Sequence, residues 1–178
     1  MARTGIMNKL LRPASLEVYK KEAKKLFKSL PKNASLLQRI LELYPYIPYH
    51  SGDISGRYSQ IKLKHIYQAL AIEHGFENWA SMRNYIIEQD MLYRKHGIAF
   101  IHSWFNNYLD AFQYFQKYGG YLLQFWQDYI VCGKEYLQVL GLDTFQSEWE
   151  KIGYNWVMPA HKEAYKRLYQ AALLQYLQ

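Results

Sequence analysis

The stretch IAFIHSWFNNYLDAFQYFQKYGGYLLQFWQDYIVCGKEYLQVLG, residues 98–141, decides how the chain is read. Its aromatic residues begin at Phe100 and run through Trp104, Phe105, Tyr108, Phe112, Tyr114, Phe115, Tyr118, Tyr121, Phe125, Trp126 and Tyr129. Ile101, Trp104, Phe105, Tyr108, Phe112 and Phe115 recur at the spacing of one helix face, and no strict alternation runs long enough to compete with that pattern. Gly119-Gly120 permits a turn. Beyond it Leu122, Phe125, Trp126, Tyr129, Tyr136, Leu137 and Leu140 read as a second helical arm that Gly141 ends. The spacing predicts a hairpin of helices 98–118 and 121–140, and with it an all-α chain.

The flanking segments extend the same reading. From Ser15 to Leu30, the residues Leu16, Tyr19, Ala23, Leu26, Phe27 and Leu30 share one face, with Ser15 placed to cap the helix and Pro31 to close it. Asn33 or Ser35 can cap a second helix that buries Leu36, Leu37, Ile40, Leu41 and Tyr44 before Pro45. Residues 45–59 concentrate Pro, Gly and Ser and read as a long surface loop, a type of segment that is often functional. Ser59 can cap a third helix with Leu63, Ile66, Tyr67, Leu70 and Ala71 inward, and Gly75 sits where a left-handed C-terminal residue is wanted. Asn78 can cap a fourth, carrying Trp79, Met82 and Ile86, with Phe76 and Trp79 as the apolar plug of the turn. Asp143-Thr144 can start a short helix that Gly153 stops, and Ala160 to Leu177 reads as a final helix with Ala164, Leu168, Ala172 and Tyr176 in register. The expected architecture is an all-α bundle of at least six helices. It comprises a basic tail at 1–14, a helical module at 15–92 and an aromatic-rich region at 93–178 packed with that module as one unit.

Composition supports a folded chain. Half of the 178 residues are hydrophobic, enough for one core of ordinary size, and 10 Gly and 5 Pro exclude collagen-like or linker-dominated architectures. Cys132 is the single cysteine, so no internal disulfide forms and a reducing, cytoplasmic setting is expected. The first fifteen residues lack a continuous apolar run, and the stretches 98–109 and 118–133 are shorter than a membrane span. Neither a cleaved leader nor a transmembrane helix is expected. Of the net charge of +7, all resides in residues 1–32, where Arg3, Lys9, Arg12, Lys20, Lys21, Lys24, Lys25, Lys28 and Lys32 face only Glu17 and Glu22. A basic segment on a neutral body suits nucleic acid, an anionic surface or an acidic partner.

Residues 16–88 carry a resemblance. Leu16-Glu17, Lys21, Ala23-Lys24 and Leu26, then Arg39-Ile40 and Pro45, then Leu63, Gln68, Ala71 and Ile72-Glu73-His74-Gly75-Phe76-Glu77-Asn78-Trp79 with Met82 form a pattern. It is similar to the N-terminal segment of some bacterial ankyrin-repeat proteins, in which an aliphatic-Ala-x-Glu-x-Gly-Phe-x-x-Trp ending precedes a leucine. This chain departs from it with Met82 for the leucine, with His74 where an aromatic is common, and with no ankyrin repeats afterwards. The resemblance implies a helical accessory module in a bacterial, intracellular protein, with no catalytic residues to carry over.

Little in the sequence points to catalysis. His50, His65, His74, His96, His102 and His161 show no i, i+4 pair, and no HExxH or CxxC occurs, so no metal and no cofactor is expected. Cys132 lies in an apolar run that suits a buried, inert thiol. Two sets remain. Trp104, Tyr108, Phe112, Trp126 and Tyr129 are candidates for an apolar ligand pocket between the two hairpin helices, with Asp110, Gln113, Gln124, Gln127 and Asp128 as polar tips. The same aromatics read equally as core. Lys20, Lys21, Lys24 and Lys28 are candidates for anion or partner binding, and read equally as a solvated face. The expected function is a non-enzymatic interaction module with an unknown protein partner. Alternatives are a small-ligand-binding protein or enzyme using the aromatic pocket, or nucleic-acid binding through the basic helix. Against the last, positive charge and aromatic density lie in different halves. Homo-oligomerisation is compatible with an aromatic content beyond what one such chain buries.

Overall fold

The computed structural model describes residues 11–45 and 60–178. Arg3, Lys9, the Ser59 cap, His50 and the loop beyond Pro45 lie outside the described residues. The chain divides into two compact units, the first ending at Ile86 and the second spanning Ile87–Gln178.

In the first unit, α1 (Leu16–Ser29) passes through a 3-10 turn at Leu30–Lys32 into α2 (Ala34–Leu43), and α3 (Leu63–Glu73) leads to α4 (Trp79–Asp90), whose residues from Ile87 onward belong to the second unit. Each helix buries one stripe: Leu16, Tyr19 and Ala23 on α1, Leu36, Leu37 and Ile40 on α2, Ile66, Ala69 and Leu70 on α3. Ser15 precedes α1 but its side chain makes no capping hydrogen bond, whereas the two asparagines cap as expected. Asn33 Oδ1 accepts from the Leu36 N–H at 3.1 Å, and Asn78 Oδ1 accepts from the Ser81 N–H at 2.9 Å. At the end of α3, Gly75 has φ 80°, a conformation that costs other L-residues free energy. The Phe76 N–H then reaches Ala71 C=O and the Gly75 N–H reaches Ile72 C=O, both at 2.9 Å, which closes a Schellman motif. Gln68 staples the turn: its Nε2 donates to Glu77 C=O at 2.9 Å while its Oε1 accepts from the Trp79 N–H at 3.3 Å. Trp79 stacks on Tyr67 with ring centres 4.4 Å apart, and Phe76 packs on Tyr85 at 5.4 Å.

The second unit corrects the all-α expectation. After a 3-10 turn at Lys95–Phe100 come β1 (Ile101–Phe105), α5 (Tyr108–Tyr118), β2 (Tyr121–Phe125) and β3 (Asp128–Cys132). The helices α6 (Lys134–Leu140), α7 (Gln146–Lys151) and α8 (Lys162–Leu177) complete it. The strands form an antiparallel sheet in the order β1-β3-β2, so the fold is mixed α/β, 63% helix and 10% strand, with eight α-helices among the described residues. Neither arm of the expected helical hairpin exists as such. The first is a turn, an edge strand and a separate helix that Asn107 caps, its Oδ1 accepting from the Asp110 N–H at 3.0 Å. The second is a β-hairpin followed by α6.

The physical reason is burial on both faces. Leu122 and Leu123 are neighbours on opposite sides of β2, as are Ile130 and Val131 on β3, and all four are completely buried. A strand covered twice shows a continuous apolar run, which carries no period-2 signal. On one face, Leu122 and Val131 pack with Ala111 of α5. On the other, Phe125 meets Tyr93 and Tyr136, and Tyr121 meets Trp149 edge to face. The hairpin turn was equally silent in the sequence, because Trp126 takes the positive φ (54°) that a glycine would normally advertise. The outer edge of β2 is also covered: the Leu122 N–H donates to Tyr154 C=O and the Trp156 N–H to Leu122 C=O, both at 2.9 Å. Among the described residues, no helix is long and apolar enough to cross a membrane.

Candidate functional site

The basic face of α1 is shaped by a buried tyrosine. Tyr19 lies on the core side of the helix, and its hydroxyl donates to Arg12 C=O at 2.6 Å, drawing the segment before the helix against it. Burial raises the Tyr19 hydroxyl to about 12, so it stays protonated and remains a donor. The segment so held places Arg12 at one wall of an open groove of about 450 Å³, whose other lining residues include Val18, Lys21, Glu22, Lys25 and Leu26. Lys21 and Lys25 stand one helical turn apart, Val18 and Leu26 supply apolar floor, and three cations face one carboxylate. Such a surface attracts an anionic group while covering apolar side chains beside it.

Of the lysines singled out from the sequence, Lys21 lines this groove and the others do not. Lys20 is paired with Glu17 at 2.6 Å, and that hydrogen bond holds the Glu17 carboxyl below its ordinary range. Lys24 and Lys28 are exposed away from the lining. Arg12 and Lys25 were not among the candidates. The i, i+4 relation of Lys21 to Lys25 was legible in the sequence; the position of Arg12 depends on the Tyr19 bond and was not.

The aromatic candidates separate into three places. Tyr108, Phe112 and Tyr129 come together, with Tyr108 stacked on Phe112 at 5.5 Å and edge to face with Tyr129 at 5.9 Å, all against Ala111, Leu122 and Val131. They are packing residues between α5 and the sheet, and the Tyr108 hydroxyl accepts from Asn155 Nδ2 at 3.1 Å. Trp126 is buried in the β2–β3 loop. Trp104 stands 42% exposed on β1, its ring 5.4 Å from that of Phe125. The pocket expected between helices 98–118 and 121–140 therefore loses its walls. Asp110, expected as a polar tip there, instead accepts from Asn107 Nδ2 at 2.7 Å in the cap of α5.

Cys132 is fully buried, and burial pushes its thiol far above the ordinary value, so the nucleophilic thiolate does not form at neutral pH. His65 Nδ1 accepts from the Lys62 N–H at 3.1 Å, and His161 Nδ1 accepts from the Ala164 N–H at 3.2 Å. Both imidazoles thus serve helix starts. Among the described residues, no group of three or more His, Cys, Asp or Glu is placed to hold a metal ion. Compared with known protein families, with curated proteins and with solved structures, the chain gives no match.

Proposed function

We propose that this chain is a non-catalytic interaction module whose first helix receives an acidic, partly apolar segment of a partner protein. The observation that carries the reading is the groove beside α1, in which Arg12, Lys21 and Lys25 surround the exposed flanks of Val18 and Leu26. Two features favour a protein segment over nucleic acid: the floor is apolar, and among the described residues no aromatic side chain lines the groove to stack a base. The concentration of the net charge in residues 1–32 would speed encounter with an acidic partner. The resemblance of residues 16–88 to a helical accessory module points the same way, and the single cysteine fits a cytoplasmic setting.

The test is fluorescence anisotropy with a labelled peptide alternating Glu and Leu, run beside an oligothymidylate of equal charge. Peptide binding that weakens with salt, and that the double change Lys21→Gln, Lys25→Gln lowers about tenfold or more, supports the reading. Equal affinity of the double variant, or preferential binding of the oligonucleotide, overturns it.

A further inference from the structure

A second, smaller cavity lies in the second unit, where four segments converge. Glu88 and Gln89 come from the end of α4, Gln124 from β2, Trp156 and Val157 from the segment after α7, and Tyr165 from α8; together they enclose about 130 Å³. Its walls are fixed by backbone bonds. The Trp126 N–H donates to Gln89 C=O at 3.1 Å, and the Trp156 N–H donates to Leu122 C=O at 2.9 Å. The Gln124 amide is oriented too: its Nε2 donates to Trp126 C=O at 3.2 Å, which leaves Oε1 as an acceptor. Among the described lining residues Glu88 is the one acidic side chain, and it makes no ion pair with any described cation. The Trp156 and Tyr165 rings stand 5.0 Å apart at 66°, edge to face, and form an aromatic wall of the pocket.

We infer that this pocket binds a primary ammonium group. The lining offers a carboxyl group, an amide oxygen and an aromatic wall, and a primary ammonium brings three N–H donors and no acceptor. An anion would be repelled by Glu88, and an apolar group would leave the acceptors unpaired. Burial, and then the nearby Glu88, lift the Tyr165 hydroxyl to about 12, so it stays neutral at physiological pH. The ammonium has two possible sources, a free alkylamine or a lysine side chain of another protein.

The experiment is a titration of the isotopically labelled full chain with n-butylammonium chloride, followed by the Trp156 indole and Gln124 side-chain amide resonances. Saturable shifts at both, absent with n-butanol and weakened about tenfold by Glu88→Gln, are expected. Glu88 is exposed, so its Gln variant should fold, and unchanged dispersion of the remaining resonances checks this. Tyr165→Phe keeps the ring and should bind within about twofold of the parent. A blocked lysine pentapeptide forms the second arm: tighter binding of the peptide assigns the ammonium to a partner's lysine, and tighter binding of butylammonium assigns it to a small amine. Absence of saturable shifts, equal shifts with butanol, or full affinity in Glu88→Gln overturns the inference.

Discussion

The Trp126 indole N–H donates to the Asp90 carboxylate at 3.2 Å, joining two residues 36 positions apart inside the second unit. The same carboxylate accepts from the Tyr176 hydroxyl at 2.8 Å, so the end of α4, the β2–β3 loop and α8 meet at one buried side chain. Trp126 also holds a positive φ of 54°, which its bonds to Asp90 and Gln89 help to stabilise. Asp90→Ala should cost about 3 kcal/mol, because two donors lose their shared acceptor, whereas Tyr176→Phe should cost about 1 kcal/mol. Urea unfolding of the two variants checks the order; equal midpoints would mean that Asp90 is not the hub.

Gly120 brings the chain from α5 into β2 against the backbone of β3. Its φ is 98°, and a Cβ there would lie 2.7 Å from Cys132 C=O in the adjoining strand. Gly120→Ala should lower stability by more than about 1 kcal/mol, whereas Gly119→Ala, whose Cβ meets nothing within 4 Å, should lose only the cost of its own positive φ. Thermal unfolding of both variants decides.

The Gly75 turn should behave as structure. Trp79 is half-buried and stacked on Tyr67, so Trp79→Ala should cost about 2 kcal/mol, less than a fully buried tryptophan. Gly75→Ala should cost about 1 kcal/mol through its positive φ. A parental unfolding midpoint for Trp79→Ala, together with lost partner binding, would reassign Trp79 to recognition.

His65 should make the first unit sensitive to mild acid. Burial, and then Lys64 and Lys62, lower its pKa below the ordinary 6.5, and its Nδ1 accepts from the Lys62 N–H. The unfolded chain therefore takes up the proton first. The stabilisation is complete above the unfolded value near 6.5 and is lost as pH falls through the depressed folded value. Stability of His65→Gln should vary less over the same range, as chemical denaturation at stepped pH would show. A parallel pH profile for both proteins would remove His65 from the cause.

Lys25 and Lys24 should part company. Both are exposed, and neither glutamine variant should shift stability by more than about 0.5 kcal/mol. Only Lys25 lines the groove beside α1, so only Lys25→Gln should weaken binding of the acidic peptide. Equal losses would indicate diffuse attraction by the whole basic face.

The sequence by itself determined the elements that bury one face. α1, α2, α3 and α8 each lay a single stripe, such as Ala164, Leu168 and Ala172, against a neighbour, and one-sided burial imprints the helical period on the chain. Local chemistry determined the Asn33 and Asn78 caps and the Gly75 turn, since each needs only residues within a few positions. Tertiary structure decided the rest. β2 and β3 are covered on both sides, so Leu122-Leu123 and Ile130-Val131 carry no alternation, and their turn uses Trp126 where a glycine would have marked it. Arg12 stands at the groove with its carbonyl held by Tyr19, and the pocket proposed for an ammonium gathers side chains from four separate segments. Periodicity records how a segment is buried on average; which distant segment does the burying is set by packing, and that information is spread over the whole chain.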